Sequence, residues 1–160
     1  MIEIKYLRGD ATNPIEVDGN KIIIHIVNSK GRWGRGFVLA LSKNWKEPEI
    51  EYRKWHRNKK GFELGEVQFV KVEDDIVVCN MVAQKGIGFS NNKPPIRYSA
   101  LNKCLEKVKE AVENNKDKEI SIVAPKIGAG LAQGKWDKIE KLIIENLCKN
   151  DIPVYIYELK

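Results

Sequence analysis

The chain has 160 residues, the size of one ordinary domain that buries about 70% of the surface its unfolded form exposes, and its 42% hydrophobic and 31% charged composition excludes a disordered chain. No apolar run is long enough for a membrane span, and Met1-Ile2-Glu3-Ile4-Lys5 lacks the basic and hydrophobic regions of a signal peptide, so the expectation is a cytoplasmic single domain over 1–160 with no membrane partner. The net charge of +6 is compatible with a polyanionic partner, but the 28 Lys and Arg are spread among 22 acidic residues, which equally describes a solvated mixed-charge surface.

Ile2, Ile4 and Tyr6 alternate with polar residues up to Gly9-Asp10, the pattern of a short strand that stops at a turn. Lys21 to Val27 follows, with Ile22, Ile23, Ile24, Ile26 and Val27 forming the near-continuous β-branched run of a strand covered on both faces. Next comes the glycine-rich loop Asn28-Ser29-Lys30-Gly31-Arg32-Trp33-Gly34-Arg35-Gly36-Phe37, then a helix from Phe37 and a second over Pro48 to Arg57 with proline in its first turn. Glu66 to Val72 and Ile76 to Val82 read as strands around the turn Glu73-Asp74-Asp75.

From Tyr98, Leu101, Leu105, Val108 and Val112 recur at helical spacing, and the strand Ile120 to Ala124 leads into a second glycine loop, Pro125 to Trp136. Trp136, Ile139, Leu142, Ile143 and Leu147 mark the last helix, and Val154-Tyr155-Ile156-Tyr157 the last strand. Helices alternating with strands, with one hairpin, predict a three-layer α/β/α fold around a mixed, mainly parallel sheet. In such a sheet ligands bind beyond the carboxyl ends of the strands, where both glycine loops lie. A strand running through glycines to a helix start presents backbone N–H groups to an anion, so the pair suggests a diphosphate gripped from both sides; glycines that only make tight turns are the alternative.

Cys79, Cys104 and Cys148 are odd in number and widely spaced, which favours reduced core thiols over disulfides or zinc, and His25 and His56 add no metal-ligand spacing. No metal or cofactor is expected. His25, inside the isoleucine run, reads as a core histidine or an acid–base group, and Asp137 as a residue stabilised by a helix start or as an acid. Lys43, Lys46, Arg53, Arg57, Lys59 and Lys60 around Trp45, Trp55 and His56 form the most basic and aromatic segment. It reads as a contact surface for RNA or poly-ADP-ribose, or as a helix whose Trp45, Tyr52 and Trp55 form a buried stripe.

Gly9-Asp10, the Asn28 to Gly36 loop and Pro125-Lys126-Ile127-Gly128-Ala129-Gly130 together resemble the macro domain family, whose members bind ADP-ribose; the match runs in order over nearly the whole chain. Trp33-Gly34-Arg35-Gly36-Phe37 is most similar to the branch with a chromatin-remodeller macro module and the terminal ADP-ribose glycohydrolase. The resemblance implies that Asp10 takes the adenine amino group and that Asn28 faces the distal ribose. Gly34, Arg35, Gly36 and Phe37, with Gly128, Ala129, Gly130 and Leu131, would wrap the diphosphate and distal ribose, with Trp33 or Phe37 on the sugar. Ala11, Gln84, Pro125, Ile127 and Ala132 complete the implied ligand-binding set.

Glycohydrolase relatives use a strand-end lysine and an aspartate right after the Gly-x-Gly-Leu of the second loop, and the positions here are Gln84 and Ala132. An amide nitrogen is not nucleophilic and a methyl group moves no proton. Lys85 replaces the lysine only if a bulge turns it inward. The resemblance therefore implies a binder of ADP-ribose, or of ADP-ribosylated protein or nucleic acid. The alternative is a hydrolase of ADP-ribose-1''-phosphate, O-acetyl-ADP-ribose or ADP-ribosyl esters.

Overall fold

In the computed structural model, which describes residues 1–89, 91–130 and 132–159, the isoleucine run becomes a central strand of a six-stranded sheet. The strands are β1 (Lys5–Arg8), β2 (Asn20–Asn28), β3 (Val67–Glu73), β4 (Ile76–Gln84), β5 (Ile120–Pro125) and β6 (Val154–Glu158), and the helices α1 (Phe37–Asn44), α2 (Glu47–Asn58), α3 (Tyr98–Glu113) and α4 (Trp136–Asn146). The sheet order is β1-β6-β5-β2-β4-β3, parallel throughout except for the β3–β4 hairpin.

Because successive strand side chains point to opposite faces, β2 feeds two cores. Ile22 and Ile24 pack with Leu101 and Leu105 of α3 and Ile139 and Ile143 of α4, while Ile23 and Val27 meet Val38 and Leu41 of α1 and Tyr52 of α2. Burying each such side chain contributes about 1.5–3 kcal/mol, so the run is apolar on both faces for the same reason that helices cover both. The expected three-layer fold is the one observed. Cys79, Cys104 and Cys148 are buried free thiols.

The first strand is shorter than the alternation of Ile2, Ile4 and Tyr6 predicts. Its partner β6 opens at Val154, directly after Pro153, which has no N–H to ladder with, and Ile2 instead donates its N–H to the Cys148 carbonyl. On the other side of β2, the buried Lys21 ammonium donates to Gly19 O at 2.7 Å and Asp75 Oδ2 at 3.1 Å, fastening the hairpin turn to the start of the strand.

β2, β4 and β5 all run the same way, so Asn28, Gln84 and Pro125 end together at one edge of the sheet. The register between β2 and β4 slips there: Val27 pairs with Val82, but Asn28 pairs with Gln84, leaving Ala83 as the extra residue of a bulge.

Candidate functional site

The end of β2 and the two glycine loops enclose a cleft of about 660 Å³, within the size range of small-molecule sites. Its lining runs from His25 to Asn28 and from Arg32 to Val38 on one side, and from Pro125 to Gly128 with Gly130 and Ala132 on the other, with Arg53, Gln84 and Ile87 between them.

The first loop is held by side chains below it. Asn28 Oδ1 accepts from the N–H groups of Lys30 and Arg32 at 3.0 and 3.1 Å, and its Nδ2 donates to Arg32 O at 2.9 Å. The phenol of Tyr52, fully buried, donates to the Asn28 carbonyl at 2.5 Å, and burial raises its pKa far above the usual range. Arg53 spans Glu49 Oε2 and Gly31 O, and Trp33 donates its indole N–H to Ser42 Oγ at 2.8 Å. Gly31 has φ 74°, and a Cβ there would stand 2.4 Å from the His56 ring, so only glycine fits beneath that imidazole. The loop then enters α1 through Gly36 with no side-chain cap; the Leu39 N–H donates to Gly36 O at 3.1 Å, and the Phe37 and Val38 N–H groups ahead of it precede the first helical hydrogen bond.

In the second loop Gly128 has φ 73°, and an added Cβ would lie 2.7 Å from Ile96 and 2.9 Å from Ile139. Gly34 and Gly130 are the opposite case: nothing lies within 4 Å of a Cβ at either position, and both line the cleft. Two glycines of the lining thus leave an open approach to the backbone.

The ionised groups of the described lining have one sign. Arg32, Arg35, Arg53 and Lys126 are present, and no Asp or Glu is. Arg32 and Arg35 are exposed, while Lys126 sits 3.6 Å from Glu158 and over the Trp136 ring. His25 is neutral at ordinary pH, because burial lowers its pKa to about 4 against the opposing hydrogen bond to Asn80 Oδ1.

Of the residues singled out from sequence, Asn28, Trp33, Gly34, Arg35, Gly36, Phe37, Gln84, Pro125, Ile127, Gly128, Gly130 and Ala132 meet in this lining. Leu131 falls outside the described residues. Asp10, Ala11 and Ala129 do not line the cleft; Asp10 Oδ1 instead closes a local turn, accepting from the Thr12 N–H at 2.8 Å and its hydroxyl at 2.7 Å. Trp33 is only 3% exposed and packs against His25 and Tyr52.

The bulge that would have turned Lys85 inward lies at Ala83, and Lys85 is exposed and outside the lining. Gln84 does line the cleft, its Nε2 donating to Gly86 O at 3.1 Å. Asp137 lies in the first turn of α4, exposed and away from the cleft. In the basic aromatic segment Tyr52 is sealed, and half-buried Trp45 and Trp55 donate to Glu73 and to Lys60 O, so the rings pack inward. Sequence reasoning left Arg32, Arg53, Lys126 and Ile87 out of the ligand-binding set; Arg32 and Lys126 lie within the two glycine loops, whereas nothing local marks Arg53 or Ile87.

A mixed sheet between helical layers, with a cation-lined cleft at the carboxyl ends of its strands, is the architecture of a macrodomain, and the chain belongs to that family. It is 43% identical to the macrodomain protein of Streptomyces coelicolor, with a TM-score of 0.84 over 97% of this chain and 98% of that one. A Bacteroides thetaiotaomicron protein of unknown function is 48% identical, with a TM-score of 0.93 over 98% of both chains. Chromodomain-helicase-DNA-binding protein 1-like from Mus musculus is 31% identical over 96% of this chain, which spans only 17% of that relative's length. Thermosipho africanus DarTG, solved in complex with ADP-ribose, shares the fold at 17% identity, with a TM-score of 0.77 over 99% of this chain and 42% of that one. No protein-family profile matches the chain.

Proposed function

We propose that this macrodomain binds ADP-ribose, free or as the terminal group of a modified protein or nucleic acid, and holds it without cleaving it. The observation that carries the reading is the charge of the cleft: Arg32, Arg35, Arg53 and Lys126 line it and no Asp or Glu is among the described lining residues, the carboxylates paired with Arg53 and Lys126, Glu49 and Glu158, lying outside that lining. A diphosphate suits such a lining, because cations and backbone N–H groups stabilise its charge where water is partly excluded. The open faces of Gly34 and Gly130 and the uncapped start of α1 supply N–H donors from both loops. The complex of the related DarTG fold with ADP-ribose supports the ligand class.

The same lining argues against hydrolysis by the lysine and aspartate route. Gln84 and Ala132 occupy the relevant places, Lys85 is exposed and outside the lining, and His25 is neutral with a low proton affinity. Calorimetric titration with ADP-ribose tests the binding. Incubation of the same sample with ADP-ribose-1''-phosphate and an ADP-ribosylated protein tests turnover. Saturable binding with no product is expected. Absence of binding would overturn the reading, and product formation would replace the binder with a hydrolase.

A further inference from the structure

His25 stands out from the other groups lining the cleft. It is 2% exposed, lies among the rings of Trp33 and Phe37, and still reaches the cleft surface. Its Nε2 is 2.5 Å from Asn80 Oδ1. The direction of that bond is set by a chain of amides ending on backbone carbonyls, which can only accept. Gln68 Nε2 donates to Glu51 O at 2.9 Å, so Gln68 Oε1 faces Asn80; Asn80 Nδ2 then donates to Gln68 Oε1 at 3.0 Å and to Pro48 O at 3.2 Å. Asn80 can only offer its oxygen to His25, and Nε2 therefore carries the hydrogen.

A neutral imidazole protonated at Nε2 has a bare lone pair at Nδ1. No group among the described residues donates to it, and yet no fully sealed side-chain nitrogen or oxygen among them lacks a partner. Nδ1 is therefore not sealed, and the surface it keeps opens on the cleft that His25 lines. Most buried side-chain nitrogens in folded proteins have a hydrogen-bond partner, so a bare Nδ1 at the cleft calls for a donor.

We infer that His25 Nδ1 accepts a hydrogen bond from a sugar hydroxyl of the bound nucleotide and so positions the ligand in the cleft; this rests on the ADP-ribose reading above. Phosphate oxygens carry lone pairs of their own and are repelled by Nδ1, whereas they are drawn to Arg32, Arg35 and Lys126. The acceptor on the strand and the cations of the loops thus sort the two ends of the ligand, hydroxyl to His25 and phosphate to the loops. The Asn80 and Gln68 amides act through His25, keeping its hydrogen on the far side of the ring.

The experiment is nitrogen NMR of the protein with labelled histidine and backbone, before and after addition of ADP-ribose. In the free protein His25 is expected to be protonated at Nε2 and bare at Nδ1; on binding, the Nδ1 resonance moves toward that of a hydrogen-bonded nitrogen while the Gly34, Gly36 and Gly128 amides shift. A free protein with the hydrogen on Nδ1 overturns the inference. Shifts of the glycine amides with Nδ1 unmoved overturn it and leave the binding reading standing, whereas no shift anywhere removes both.

In a second measurement His25→Phe keeps the ring and deletes the acceptor. ADP-ribose affinity is expected to fall about tenfold, the value of one hydrogen bond, with the binding of inorganic pyrophosphate unchanged. Equal weakening of both ligands would make His25 a structural residue and overturn the assignment.

Discussion

Gly130→Glu separates binding from folding. A side chain at this position enters the cleft without displacing protein, because no atom lies within 4 Å of a Cβ there and the backbone needs no left-handed φ. Stability is therefore expected to stay within about 0.5 kcal/mol of the parent, as for surface substitutions. A carboxylate about 6 Å from a phosphate charge, at an effective dielectric of about 20, opposes binding by about 3 kcal/mol, or roughly a hundredfold in affinity. Titration calorimetry with ADP-ribose reads the affinity and thermal melting reads the fold. Gly130→Lys has a similar reach and the opposite charge, and is expected to bind at least as tightly as the parent. If the Glu and Lys variants lose affinity equally, bulk and not charge governs the loop; if the Glu variant binds normally, the second loop does not face the diphosphate.

Two residues earlier the expected loss is in folding. Gly128→Ala places a Cβ 2.7 Å from Ile96 and 2.9 Å from Ile139 at φ 73°, and destabilisation of about 2–4 kcal/mol is expected in urea unfolding. Tyr52→Phe removes the hydroxyl that donates to the Asn28 carbonyl and should lower stability by about 1–2 kcal/mol, with ADP-ribose binding weakened several-fold as the first loop loosens. His25 predicts a pH dependence of stability. Its pKa is about 4 in the fold and 6.5 in the unfolded chain, so as pH falls the unfolded state takes up the proton first. The stability from the buried neutral ring is fully present above pH 6.5 and declines by about 3 kcal/mol as pH falls to 4. Urea unfolding across that window, against His25→Phe, isolates this part; identical slopes in both proteins would refute it.

Much of the fold is readable from local patterns. The isoleucine run of β2, the helical spacing of Leu101, Leu105 and Val108, and the Asp74-Asp75 turn each depend on neighbours within a few residues, and each appears where the pattern puts it. The first strand departs from its pattern because alternation reports which face is apolar and says nothing of whether a partner strand extends far enough. Extended backward, the register puts Glu3 beside Pro153 and Ile2 beside Ile152, ahead of the start of β6.

The site divides along the same line. The glycine loops are marked in the sequence because backbone approach is a local property, whereas Gln84 enters only through the family resemblance; they meet in one cleft because three parallel strands end at one edge of the sheet. Other features arise only on packing: Arg53 and Lys126 arrive at the cleft from separate elements, and Asp10 folds onto Thr12 away from its lining. The tautomer of His25 is set by Asn80, 55 residues away in the sequence. The sequence by itself determined the layers, the order of the strands and helices along the chain and the glycines, since these follow from side-chain period and backbone freedom. Only the tertiary structure decided which charges face the ligand and which nitrogen of a buried imidazole carries the hydrogen, because hydrogen-bond direction and electrostatic environment depend on groups far apart in the chain.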